Sequence, residues 1–138
     1  MATYSETFEL ETRGEVQAID ITERVAGVIA RSKLGAGIVC VFSPSSTSAI
    51  VANESGAGVD EDLAALLERV APRRASYRHE EKWHDGNGHS HVRASLLGQG
   101  FTFPFHGGKP LLGTWQQLWF LELDNKARTR EVRVTLVG

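Results

Sequence analysis

The densest polar run in the 138-residue chain is Trp83-His84-Asp85-Gly86-Asn87-Gly88-His89-Ser90-His91. Gly86 and Gly88 let the backbone curl, and His84, His89 and His91 with Asp85 are the residue types that gather on a divalent ion such as Mg, Mn or Zn. The same imidazoles suit proton transfer near neutral pH or the binding of a phosphate. A third reading is structural, with the histidines packed or capped and no ligand. Spacing weighs on the choice: on a helix, His89 and His91 would face different sides, and they converge only if the backbone stays extended through His91. All five histidines, His79, His84, His89, His91 and His106, fall within residues 79–106, and seven of the 14 glycines fall between Gly86 and Gly113. Residues 79–113 are therefore where chemistry is expected.

A second signal lies in Thr114-Trp115-Gln116-Gln117-Leu118-Trp119-Phe120-Leu121-Glu122. Read as a strand, it puts Gln116 and Glu122 on one face with Leu118 and Phe120 between them. A carboxylate beside large apolar groups needs a partner or a function. Either Glu122 serves the site, or it pairs with Arg128 or Arg130. Arg69, Arg73, Arg74 and Arg78 form the one local basic concentration, which reads better as the solvated end of a helix than as an anion clamp. Pro44-Ser45-Ser46-Thr47 reads better as a turn than as an anion cradle. Cys40, the single cysteine, lies in an apolar run and reads as inert packing.

Several elements must position these groups. Tyr4, Phe8 and Leu10 alternate with Glu9 and Glu11 as in a half-buried strand. Asp20 with Glu23 forms a capping-box arrangement ahead of a helix carrying Val25, Val28 and Ile29. Ile38 to Phe42 reads as a buried strand and Ser48 to Asn53 as a second. Asp60-Glu61-Asp62 opens a helix striped by Leu63, Leu66, Leu67 and Val70 and ended by Pro72. Val92, Leu96 and Leu97 predict a short third helix stopped by Gly98. Phe101, Phe103 and Phe105 predict a strand, with a Gly107-Gly108 hairpin turn after it. Thr114 to Asp124 is apolar on both parities, as in a strand covered on both faces. Val132, Val134 and Leu136 alternate in the last strand. The sum is one α+β domain over residues 1–138: an antiparallel sheet of about six or seven strands covered by two long helices and one short one.

Composition bounds the partners. Fifteen Lys and Arg against 17 Asp and Glu give a formal charge of −2, which argues against a nucleic-acid binder. The longest dense apolar stretch, Ile38–Phe42, is far short of the ~20 residues that span a bilayer. Met1 to Glu6 has no basic start or apolar core, so a cytoplasmic location is expected.

His84-Asp85-Gly86-Asn87-Gly88-His89-Ser90-His91-Val92-Arg93-Ala94-Ser95-Leu96-Leu97-Gly98, then Leu112-Gly113-Thr114-Trp115-Gln116-Gln117, then Glu122-Leu123-Asp124 before Arg128 and Arg130, resembles the YjbQ family. Ser46-Thr47-Ser48-Ala49-Ile50 and Glu54 extend the resemblance to nearly the whole chain. One departure is Ser45, where many members have histidine after the proline, so no role of that histidine transfers. The resemblance implies a compact α+β fold, a homotrimer with sites between subunits, and a weak thiamine-phosphate synthase activity. That reaction joins a pyrimidine diphosphate to a thiazole phosphate and releases pyrophosphate. On this basis His84, Asp85, Asn87, His89, His91, Gln116 and Glu122 are the expected site for a small phosphorylated substrate, with His84, His89 and His91 as metal ligands. The alternative is a trimeric small-ligand or metal-binding protein that catalyses nothing.

Overall fold

The strand covered on both faces explains the architecture. In a computed structural model describing residues 1–138, this strand is the middle of a small sheet lying between two apolar cores. The elements in chain order are β1 (Thr3–Glu11), β2 (Gln17–Asp20), α1 (Thr22–Ser32), β3 (Ala36–Phe42), β4 (Ser48–Asn53) and α2 (Val59–Val70). There follow α3 (Arg78–Trp83), α4 (Gly88–Leu97), β5 (Gly100–His106), β6 (Lys109–Pro110), β7 (Gln117–Glu122) and β8 (Thr129–Val137).

The strands form two antiparallel sheets, not one: a five-stranded sheet ordered β1-β8-β3-β5-β6 and a three-stranded sheet ordered β2-β7-β4. Leu118 and Phe120 on one face of β7 join the larger core with Val25, Val28 and Ile29 of α1 and the inner faces of β1, β3, β5 and β8. Trp119 and Leu121 on the other face pack with Leu67 of α2 and Ala94 of α4. The alternating side chains of β7 thus serve two cores at once.

Other details differ from the sequence expectation for local reasons. Asp20 ends β2, and its Oδ1 accepts hydrogen bonds from the Thr22 amide and hydroxyl, while Ile21 occupies the cap position of α1. The β3 strand is buried on one face only: Val39 and Val41 are fully enclosed, whereas Ile38 and Phe42 are 52% and 42% exposed. Among the short elements, β2 and α3 carry too few periodic positions to stand out in the sequence. No helix is long and apolar enough to cross a membrane.

Candidate functional site

Two of the segments that carry the chain from one sheet to the other meet at one place: residues 43–47 between β3 and β4, and residues 123–128 between β7 and β8. They lie side by side, tied by the Leu123 amide donating to the Thr47 carbonyl (3.0 Å) and the Thr47 hydroxyl donating to Asp124 Oδ2 (3.0 Å). Helix α3 and the start of α4 close the other side. The result is an open polar pocket of about 560 Å³ where the chain switches sheets.

One wall is the turn Pro44-Ser45-Ser46-Thr47. Its Ser45 hydroxyl belongs to a chain of hydroxyls through Ser48 to Ser43. The facing wall carries His79, Trp83, Asp85, Asn87 and His91. The His79 and His91 rings stack at 4.2 Å with a 36° tilt. The Asn87 amide lies between two carboxylates: 3.3 Å from Asp124 Oδ1, and, with the amide turned over, its nitrogen donates to Asp85 Oδ1 at 2.8 Å.

Asp124, Arg128 and Arg130 make the floor. Asp124 accepts from the Asn125 amide (2.7 Å), the Thr47 hydroxyl and Arg128 Nη2 (2.9 Å). Beneath it, Arg130 forms a two-pronged ion pair with the fully buried Glu122, at 2.8 and 2.6 Å, and also donates to Thr47 Oγ1 at 2.8 Å. Thr12 completes Glu122 with a 2.7 Å hydrogen bond. The floor is thus a buried charge network whose members are each paired, as burial requires.

Electrostatics sets the protonation of the walls. Burial, and then the neighbouring His79, hold the His91 imidazole below its ordinary pKa, so it is neutral at pH 7 and offers a lone pair. Burial alone would push Asp124 up, but hydrogen bonds from Asn125, Arg128, Thr47 and Asn87 together hold its carboxyl below the usual carboxylate range. A depressed folded-state pKa means that Asp124 contributes stability above the ordinary carboxylate pKa and loses it as pH falls through the folded value. Urea midpoints should therefore drop from about pH 5 downward, and Asp124→Asn should flatten part of that dependence. An unchanged pH profile in Asp124→Asn would contradict this.

A profile of the family described as "UPF0047 protein YjbQ-like" matches residues 6–138. The chain belongs to this family. A UPF0047 protein of Methanothermobacter thermautotrophicus is 43% identical over 138 residues, covering 100% of this chain and 94% of that one. A crystal structure from Sulfolobus solfataricus, described as a YbjQ-like protein of unknown function, superposes with a TM-score of 0.88 at 30% identity, covering 99% of both chains. An uncharacterised conserved protein of the same family from Clostridium acetobutylicum gives a TM-score of 0.87 at 35% identity, covering 96% of this chain and 99% of that one. Family membership fixes the fold and leaves the function to be argued from the site.

Of the residues expected from this family's motifs, Asp85, Asn87 and His91 line the pocket. The other four do not. His84 caps α3 in a left-handed conformation (φ 55°) and lines a separate cleft with Tyr77, Glu80 and Glu81. His89 points inward, 1% exposed, with Nε2 2.5 Å from Glu15 Oε2. Both His89 and His91 lie on α4, where a separation of two turns them to different sides. His84, His89 and His91 are accordingly not brought together as a three-imidazole ligand set. Gln116 precedes β7 and accepts from the Gly113 amide (2.8 Å), away from the pocket. Glu122 takes the pairing alternative, with Arg130.

His79, Trp83, Asp124, Arg128 and Arg130 come from outside the expected set. His79 belonged to the histidine-rich stretch, but nothing in its spacing to His91 foretold a stacked pair across two helices. Gly88 explains how α3 meets α4 so closely. A Cβ there would lie 2.5 Å from Tyr77 Cβ and 2.7–2.8 Å from the Glu80 carboxylate. Gly88→Ala should cost about 1–3 kcal/mol and push α3 off α4, a loss readable by urea denaturation. A stability equal to the parent chain would refute this packing.

Proposed function

We propose that the pocket binds a small phosphorylated substrate and carries a transferase reaction of the thiamine-phosphate synthase type. The ring nitrogen of a thiazole phosphate would bond to the methylene carbon of a pyrimidine diphosphate. The carbon–oxygen bond to diphosphate breaks, and pyrophosphate leaves with the electron pair. What supports this reading is one juxtaposition: the Ser45-Ser46-Thr47 turn and Arg128 face an imidazole–carboxylate wall across a cavity sized for such substrates. The hydroxyls and the outer edge of Arg128 are suited to the diphosphate, and His79, His91 and Asp85 to the reacting end. A divalent ion, when bound, would neutralise charge on the departing pyrophosphate.

A second reading, a binding protein without turnover, rests on a specific observation. Arg128 and Arg130 are already paired with Asp124 and Glu122, which leaves less free positive charge for a leaving group. The two separate by assay of the purified chain with both precursors and magnesium in a cytoplasm-like buffer. The transferase reading expects thiamine phosphate, lost in His91→Ala and retained in His84→Ala. Absence of product with pyrophosphate binding intact supports the binding reading.

The assembly we propose is a homotrimer. On the outer face of the five-stranded sheet, exposed Ile38 lies between Pro104 and Val137, and exposed Phe42 between Gly100 and Arg133, which makes an apolar strip bordered by one charged pair, Arg133 and Glu131, and suited to an interface. Three chains of 15.1 kDa predict a particle of about 45 kDa by light scattering. A 15 kDa particle at micromolar concentration would refute it.

A further inference from the structure

We propose that His79 Nδ1 and the carboxylates of Glu80 and Asp85 form a site for a divalent transition-metal ion of the zinc, cobalt or manganese class, at the rim of the pocket. The three donor atoms lie within 4.8 Å of one another. His79 Nδ1 is 3.6 Å from Glu80 Oε1 and 3.3 Å from Asp85 Oδ1. Bonds of about 2.0–2.2 Å at tetrahedral angles place neighbouring ligands about 3.3–3.6 Å apart, which is the spacing of these pairs.

A second observation is independent of distance. His79 Nδ1 is buried and has no hydrogen-bond partner, although two carboxylates stand near it. A ring nitrogen left unpaired between two acceptors is an unfavourable arrangement for a proton-bearing atom, but a natural one for a lone pair that meets a cation. One imidazole with two carboxylates suits a borderline divalent ion. The surroundings hold each ligand in place. The Gly88 amide donates to Glu80 Oε1 at 2.5 Å, the His91 ring stacks on His79, and Asn87, with its amide turned over from Asp124, donates to Asp85. Such orienting contacts are what a metal site needs from its neighbours. His79 and Asp85 line the cavity while Glu80 lines the neighbouring His84 cleft, so the ion would sit in the wall between the two, with remaining positions open to water or to a phosphate oxygen from the His79–Asp85 side.

This proposal shares the pocket with the transferase reading, but its test reads metal alone and either can fail without the other. Metal-free protein would be titrated with Zn²⁺ and Mn²⁺ by calorimetry, and with Co²⁺ by visible absorption, without any phosphorylated compound. The expected result is one ion per chain and an affinity reduced about a hundredfold or more in His79→Ala and in Asp85→Asn, with His84→Ala unchanged. Asp85 is 42% exposed, so Asp85→Asn tests the site without disturbing the core. No ion bound in the parent chain, or equal affinity in His79→Ala and Asp85→Asn, would overturn the proposal.

Discussion

Glu122→Ala should destabilise the chain by about 3–5 kcal/mol, because it leaves the Arg130 guanidinium buried without its partner. The two prongs at 2.8 and 2.6 Å and the Thr12 hydroxyl satisfy a carboxylate that is fully removed from water. Deleting the carboxylate removes those bonds and leaves Arg130, 9% exposed, with only the Thr47 hydroxyl and the more distant Asp124 carboxylate (3.8 Å) to offset its desolvation. For a domain of this size the loss corresponds to a fall in Tm of roughly 10–15 °C. Replacing Glu122 and Arg130 together by methionine should recover much of it, since a well-packed apolar pair avoids the unpaired charge. Calorimetry and urea denaturation of the single and double variants check both statements. A single-variant loss below about 1 kcal/mol would mean that the pair is not the buried anchor described.

Asp124→Ala should reduce kcat/KM, or the affinity for pyrophosphate if the chain only binds, by about a hundredfold. Its carboxylate touches the ends of three segments: Thr47 from the β3–β4 crossing, Asn87 before α4 and Arg128 from the β7–β8 crossing. Removing it frees the hydroxyl turn, the amide and the guanidinium at the same moment, so the pocket loses its relative geometry. Asp124→Asn keeps the shape and part of the hydrogen bonding, and its defect should be smaller. Equal activity in the parent chain and Asp124→Ala would show that the pocket does not need this junction.

The sequence made the large elements legible because each carries many periodic positions. Leu118, Trp119, Phe120 and Leu121 announced a strand covered on both faces, and both cores are there. What it concealed was the split into two sheets, since hydrophobic alternation in β3 and β4 does not say whether neighbouring strands share hydrogen bonds. Asp85, Asn87 and His91 could be found because the site draws three residues from one short run. Asp124 and Arg128 stand in the family motif and His79 in the histidine-rich run, but their meeting in the pocket is not legible, because it depends on a sheet crossing and on the close approach that Gly88 allows between α3 and α4. His89 and Glu122 show the opposite effect. Both are chemically conspicuous residue types, and both turn inward: Glu122 is fully paired with Arg130, and His89 gives Nε2 to Glu15 while its Nδ1 stays without a partner. Residue type near an apolar segment marks a group that must be satisfied, and only the tertiary partners decide whether it is satisfied by the fold or left for a ligand.

On the proposed reading the sheet-crossing pocket, and no other surface, receives a phosphorylated ligand. A crystal structure of the chain with inorganic pyrophosphate tests it most directly. The anion is expected between the Ser45-Ser46-Thr47 turn and Arg128, facing His79 and Asp85, with no second site at His84 or His89. Pyrophosphate bound in the His84 cleft, with the crossing pocket holding only water, would contradict it.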